Sequence, residues 1–486
     1  MKFFRLNYLL LSLFFLACSK DSVGEDIKEV EVLVTTVNIT GADITEGTTS
    51  QMNAVVIPEN ATNKSISWSI SDTSIAEISS GGLITAKKNG TITVTATALD
   101  KGTVKGTKEI VISSFTPEEN LIENVTQLKS ALSSVKAGET ILVKGGTYVM
   151  NSKITLSVSG TENNKIELLA KEGTGRVKLD FSSMSENSSN QGIVLNADYW
   201  YVKGIDIFKA GDNGLQVRGS NNLIEFCSFS ECSDTGLQID NGGANNTILN
   251  CDSFYNADST NENADGFACK LTAGTGKKFI GCRAWQNLDD GWDGYLRGVD
   301  NILTTYENCW AIKNGYNKQG VVGIGDGNGF KTGGSDDKKL KHNAKYTNCI
   351  AVGNTADGFD HNSNRGTVTI YNCSAYDNGR NYNFSGSSNP LEKLIIKNCN
   401  YLGSYGSTNA TTTDITNNSW QNGITTTQED FVSIDYLQLL NERKVDGSLP
   451  DVTFFHLNAG SDLIDAGVDV ALPFNGTAPD LGAFEL

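Results

Sequence analysis

Histidine is scarce in this chain. Only His342, His361 and His456 occur in 486 residues, and no Cys or His stands near them at zinc-ligand spacing. That leaves no zinc centre and no assignable Ser-His-Asp triad. Proline is nearly as rare, at 6 against 50 Gly, with 38% hydrophobic and 20% charged residues. Collagen-like, coiled-coil and wholly disordered chains are excluded on that balance. Positive charge is in deficit, Lys+Arg 39 against Asp+Glu 56 for a net −17, so no nucleic-acid partner is expected, because such binding runs on basic patches. No glycine-rich phosphate loop precedes a helix. The chain is too long for one ordinary core, so two or more units are expected.

At the N-terminus, Lys2 and Arg5 precede an apolar run at 8–17. Ten residues are half of the roughly 20 a membrane-spanning helix needs, so the run reads as a secretory signal. Phe15-Leu16-Ala17-Cys18 resembles a lipobox, which implies that Cys18 is lipidated after cleavage. Ser19-Lys20-Asp21 resembles the surface-export signal of Bacteroidota lipoproteins. The expected organisation is a signal at 1–17, a linker at 18–29, and a cell-surface, outer-membrane or secreted location, with membrane contact only through the lipid.

Seven short alternating runs follow within 30–114, at 31–39, 51–57, 65–71, 75–80, 83–88, 91–98 and 107–113. With Gly, Asn and Asp turns between them they predict a β-sandwich around Trp68. Ile66-Ser67-Trp68-Ser69 and Gly90-Thr91-Ile92-Thr93-Val94-Thr95-Ala96-Thr97 resemble the bacterial immunoglobulin-like group 2 domain. It carries no visible chemistry and reads as a spacer.

Between 223 and 400 an apolar strand recurs with one Cys in the same place: Cys227, Cys251, Cys282, Cys309, Cys349, Cys373 and Cys399. The spacings are 24, 31, 27, 40, 24 and 26 residues. Asn precedes five of these Cys, and Asn256, Asn287, Asn314, Asn354 and Asn378 each follow one by five residues. Short-strand repeats of this period describe a right-handed parallel β-helix. The Asn then form a hydrogen-bonded ladder, and the Cys form an inward stack of reduced thiols. The fold class is therefore all-β, a parallel β-helix over 115–404 behind the immunoglobulin-like sandwich. A short helix at 126–135 closes one end, and 405–486 covers the other.

A second signature repeats after each Asn turn, a polar residue, Gly, then an apolar one: Asn213-Gly214-Leu215, Thr235-Gly236-Leu237, Asp265-Gly266-Phe267, Asp290-Gly291-Trp292, Asn328-Gly329-Phe330 and Asp357-Gly358-Phe359. This register places Asp265 over Asp290, with Asp289 preceding it. The residues after the aromatic, Ala268, Asp293, Lys331 and Asp360, put Asp293 beside Lys331. Four carboxylates this close need a cation, and hard oxygen donors of this number suit Ca²⁺.

Asn263-Ala264-Asp265-Gly266-Phe267, Asp289-Asp290-Gly291-Trp292-Asp293 and Gly327-Asn328-Gly329-Phe330-Lys331 resemble the motifs of polysaccharide lyase family 9, over about 138–404. The resemblance implies a calcium-dependent pectate lyase, with Asp265, Asp289, Asp290 and Asp293 holding Ca²⁺ and Lys331 as general base. It implies a pectic substrate, homogalacturonan or rhamnogalacturonan I, and an activity rising toward alkaline pH. Lys270 and Arg297 are the expected substrate-binding cations, and the enzyme is expected to act as a monomer. The loop at 315–327 would shape the groove, with Tyr295, Trp292 and Tyr316 as aromatics able to meet a sugar, and with a place in the core as the alternative for Trp292. Three readings stay open beside this one. They are rhamnogalacturonan I lyase chemistry, a β-helical glycoside hydrolase giving a saturated product, and a non-enzymatic glycan-binding surface lipoprotein.

Overall fold

The computed structural model describes residues 31–100, 103–113, 121–386 and 388–486. The signal, Cys18 and the linker at 18–29 lie outside them. The described residues form two compact units, one up to residue 113 and one from residue 121.

The paired strands of the first unit are antiparallel, and one isolated parallel bridge joins Ile44 to Ile112. Thr36–Thr40 pairs with Asn53–Ile57, Thr49–Gln51 and Ala76–Ile78 flank Leu83–Ala86, and Ile66–Ile70 and Lys105–Ile112 flank Gly90–Ala98. All seven expected runs form strands; the run at 51–57 is preceded by the short strand Thr49–Gln51. In Gly90–Ala98 the alternation buries Ile92, Val94, Ala96 and Ala98 on one face, as a strand with one wet face requires. Trp68 packs against both apolar clusters of the unit.

The second unit opens with helix Val125–Ser134. Asn124 caps it by accepting from the Gln127 amide at 3.0 Å, and Leu128 and Leu132, one turn apart, are buried against the first coil. Three parallel sheets follow. Sheet 1 has 11 strands from Thr140–Val143 to Ala410–Thr416, sheet 2 has 10 from Gly146–Val149 to Asn400–Leu402, and sheet 3 has 10 from Ile154–Leu156 to Gly406–Thr408. Each coil visits the sheets in that order.

The repeated residues hold the corners. Asn250, Asn308, Asn348, Asn372 and Asn398, each just before a stack Cys, have φ between 50 and 58°. Asn tolerates this left-handed region better than most residues, which explains the Asn-Cys pairs. At the next corner the Asn ladder is continuous. Nδ2 of Asn256, Asn287, Asn314 and Asn354 donates to Oδ1 of the next coil's Asn at 2.8, 3.0, 2.9 and 2.7 Å. Cys232 takes the preceding rung, its amide donating to Asn256 Oδ1 at 3.0 Å. A buried amide left without its partner costs about 1–3 kcal/mol, so each rung depends on the next.

All seven stack Cys are buried, and the nine Cys among the described residues are free thiols. Inside sheet 3, Phe267, Trp292, Phe330, Phe359 and Tyr382 stack at 5.1, 4.7, 5.0 and 5.2 Å. Trp292 is therefore core, not a surface for sugar.

The C-terminal segment differs from expectation. The coils run on to Thr416, past the expected boundary at 404. Trp420 then closes the open end against Tyr382, Tyr401 and Tyr405. The rest is a strap along sheet 2 more than an end cap. Phe431, Leu439, Phe454, Phe455, Leu457 and Leu463 cover Trp310, Ile312, Ile350 and Val352. Those strands are apolar on both faces, so the outer face also needs cover. Arg443 and Arg283 pin the strap to the partly buried Asp252 at 2.7 and 2.8 Å. Burial pushes the Asp252 pKa up, but the two guanidiniums outweigh it and hold the carboxyl below its usual range.

Candidate active site

The site lies on sheet 3 where the polar-Gly-apolar signature recurs. The aromatic opens each short strand and points inward, so the residue after it faces outward, while the residue two before it lies buried in the turn ahead of the strand. The register is Phe267–Trp292–Phe330–Phe359 inside and Ala268–Asp293–Lys331–Asp360 outside. The expected stacking of Asp293 beside Lys331 is present.

The residues two before the aromatics form a second polar ladder. Thr235 Oγ1 donates to Asp265 Oδ2 at 3.0 Å, and the Asp290 amide donates to Asp265 Oδ1 at 3.3 Å. The Asn328 amide and Nδ2 donate to Asp290 Oδ1 at 2.8 and 2.9 Å, and the Asp357 amide donates to Asn328 Oδ1 at 3.0 Å. Asp265 and Asp290 are thus held rigidly by neighbouring coils. Asp289 joins them from the corner, and one carboxylate oxygen from each of the three lies within 4.8 Å of the others.

Burial and crowding oppose ionisation here. Burial, reinforced by Asp265, pushes Asp289 up to about 7. Burial and then Asp289 raise Asp290 well above the carboxylate range, and burial also raises Asp293. Lys331 Nζ lies 3.0 Å from Asp290 Oδ2, 3.9 Å from Asp293 Oδ1 and 2.7 Å from Asp326 Oδ2. Burial works against its charge, yet these carboxylates outweigh it and hold the ammonium's pKa well above the usual value.

The donor set fits a hard cation. All three clustered ligands are carboxylates, and the buried Asp290 Oδ2 meets only the Lys331 ammonium, at 3.0 Å and without hydrogen-bond geometry. Asp293 stands outside the 4.8 Å group. It lies between the two cations, 3.9 Å from Lys331 and 3.7 Å from Lys270.

Residues 116–401 match the family model described as Pel9A-like, right handed beta helix region, and 33–110 match the bacterial Ig-like domain, group 2. The chain is 38% identical over 368 residues to pectate lyase L of Dickeya dadantii, covering 73% of this chain and 84% of that protein. This chain belongs to the Pel9A-like β-helix family. The solved pectate lyase Pel9A superposes with a TM-score of 0.67 at 38% identity, covering 73% of this chain and 90% of that one. A solved rhamnogalacturonan lyase gives 0.61 at 26% identity, covering 69% and 91%.

Within this Pel9A-like chain the expected substrate cations sit differently from one another. Lys270 Nζ is 2.8 Å from Asp265 Oδ2, a partner of the carboxylate cluster more than a free arm. Arg297 is largely exposed, paired with Asp336 at 3.2 Å and lying over Tyr295. Asp326 was not singled out by sequence. It comes from the loop at 315–327, where its amide donates to Asp289 Oδ1 at 2.5 Å and its carboxylate meets Lys331. The only sequence signal for it was the insertion that lengthens one repeat just ahead of Lys331.

Proposed function

We propose that this chain is a pectate lyase that cleaves homogalacturonan by β-elimination, with Ca²⁺ held by Asp265, Asp289 and Asp290 and with Lys331 as the base. One observation carries the reading. The three carboxylates converge within 4.8 Å beside Lys331, in a chain 38% identical to pectate lyase L over most of its length. Asp293 completes the site as a ligand or as the partner that orients Lys331.

When bound, Ca²⁺ would supply a Lewis acid for the uronate carboxylate, making the neighbouring C5 proton more acidic. Lys331, in its uncharged form, would take that proton on Nζ. The electron pair left at C5 forms the C4–C5 double bond as the C4–O4 bond breaks. O4 leaves with a proton from solvent, so one product carries a 4,5-unsaturated end. The ladder bonds from Thr235 and Asn328 fix Asp265 and Asp290, so the carboxylates need not reorganise as the reaction proceeds.

The test is the absorbance of unsaturated product from purified protein on polygalacturonate, with Ca²⁺ and after its removal. A Ca²⁺-dependent rise is expected. Reducing ends without that absorbance would mean hydrolysis, and activity confined to rhamnogalacturonan I would move the substrate to the other pectic backbone. Homogalacturonan is the first substrate of this reading, and the 38% identity to Pel9A against 26% to the rhamnogalacturonan lyase supports that order.

The lipobox-like Phe15-Leu16-Ala17-Cys18 supports a surface-anchored enzyme. Labelled fatty acid should appear in the expressed full chain and vanish in Cys18→Ala. Label that persists in the variant would overturn the anchor.

A further inference from the structure

The polar ladder that carries the metal carboxylates does not end with them. It continues through Asn328 and Asp357 to Arg380, whose Cα pairs with that of Asp357 in the next strand of sheet 3. Arg380 Nε and Nη2 hold Asp357 through a two-pronged contact at 2.7 and 3.0 Å. Asn383, on the outer row that contains Lys331 and Asp360, donates to the same Asp357 at 2.7 Å. Asp357 is buried, whereas the Arg380 side chain is 53% exposed. The other two cations here differ, since Lys270 and Lys331 are 18% and 9% exposed and sit among carboxylates.

Resting on the lyase reading for its substrate, we propose that Arg380 is a subsite cation that binds the carboxylate of a uronate unit away from the cleavage point. Two of its nitrogens are fixed by Asp357, so the guanidinium is held in place while Nη1 remains available. That is the arrangement in which Arg recognises a carboxylate at little entropic cost. Arg380 stands three rungs from Asp290 in the ladder, about 14 Å at strand spacing. A polymer lying along sheet 3 over Asp290 and Lys331 passes over Arg380. An oligomer that occupies only the positions around Asp290 does not reach it. The chain as a whole carries a net charge of −17, and a polyanion needs cations beyond the scissile unit to stay seated on it.

The experiment compares hexagalacturonate with trigalacturonate as substrates for the wild type, Arg380→Gln and Arg380→Lys. In Arg380→Gln the ratio of kcat/KM for the longer over the shorter oligomer should fall about tenfold, mainly through KM. Arg380→Lys, which keeps the charge, should recover part of it. A purely structural role, in which the loss of the Asp357 pair loosens sheet 3, would depress both substrates alike. An unchanged ratio therefore overturns the proposal. Affinity electrophoresis in polygalacturonate separates this inference from the lyase reading, because it reads binding without turnover. Wild type that is retarded, with retardation reduced in Arg380→Gln, supports Arg380 even if no unsaturated product forms. Wild type that cleaves while Arg380→Gln is retarded equally supports the lyase reading and removes Arg380 from it.

Discussion

Replacing Lys331 by Ala should lower kcat about 10²–10⁴-fold, the usual contribution of a positioned general base. The same variant should keep its affinity for Ca²⁺ or gain some. Lys331 Nζ lies 3.0 Å from Asp290 Oδ2, so the ammonium competes with a metal for one carboxylate cluster. Removing it takes away a competitor as well as a base. A residue that only braced the cluster would show the reverse, weaker Ca²⁺ binding and a milder rate loss. Lys331→Arg is the discriminating control, because it keeps the positive charge but does not deprotonate in the accessible range. It should remain inactive. In the wild type, kcat should climb toward alkaline pH, since an ordinary lysine has a pKa near 10.4 and the surrounding carboxylates push Lys331 higher until a cation offsets them. Near wild-type turnover in Lys331→Arg, or a rate peaking below neutrality, would remove Lys331 from the chemistry.

Much of this site could be read from the repeat alone, for a physical reason. In a parallel β-helix, residues far apart in the chain become neighbours at fixed register, so aligning the coils is equivalent to measuring contacts. Asp265 over Asp290 and Asp293 beside Lys331 follow from the positions of the inward aromatics, which a 3.6-residue period could not have supplied. What lay outside the repeat was not legible. Asp326 belongs to an insertion with no register, so nothing in the alignment brings it to Lys331. The strap over sheet 2 failed for a related reason. Its residues were expected only to close an end, but Trp310, Ile312, Ile350 and Val352 present apolar side chains outward and draw it along the side. Arg380 breaks the polar-Gly-apolar signature, with Asn381 in place of Gly, so the pattern ended one coil before the residue that extends it.

Calcium should stabilise this protein more at pH 8 than at pH 5. Without metal, burial and Asp265 put Asp289 at about 7, and Asp290 and Asp293 are also raised. In the unfolded chain the same carboxyls titrate near 3.9. Between those values the folded state binds more protons than the unfolded state, so stability falls as pH rises from about 4 to 7. Each pKa unit is worth about 1.4 kcal/mol, and the cluster as a whole accounts for a few kcal/mol. Ca²⁺ replaces those protons, so its affinity should rise over the same range, and at a hundredfold excess over Kd it adds about 2.7 kcal/mol. His342 acts in the opposite direction. Burial and then the Lys277 charge push it down to about 3, against its bond to the Gly294 carbonyl, so its contribution is lost as pH falls below about 6.5. That effect is present with and without metal, and it cancels in the difference between two melting curves at one pH. Thermal unfolding of metal-stripped and Ca²⁺-loaded protein at pH 5, 6, 7 and 8 should therefore show a gap that widens with pH. The gap should narrow in Asp289→Asn, which removes the carboxyl of this cluster that titrates near 7. A gap of constant size across the series would mean that the metal does not displace the protons of this cluster, and Asp265, Asp289 and Asp290 would then not be its ligands.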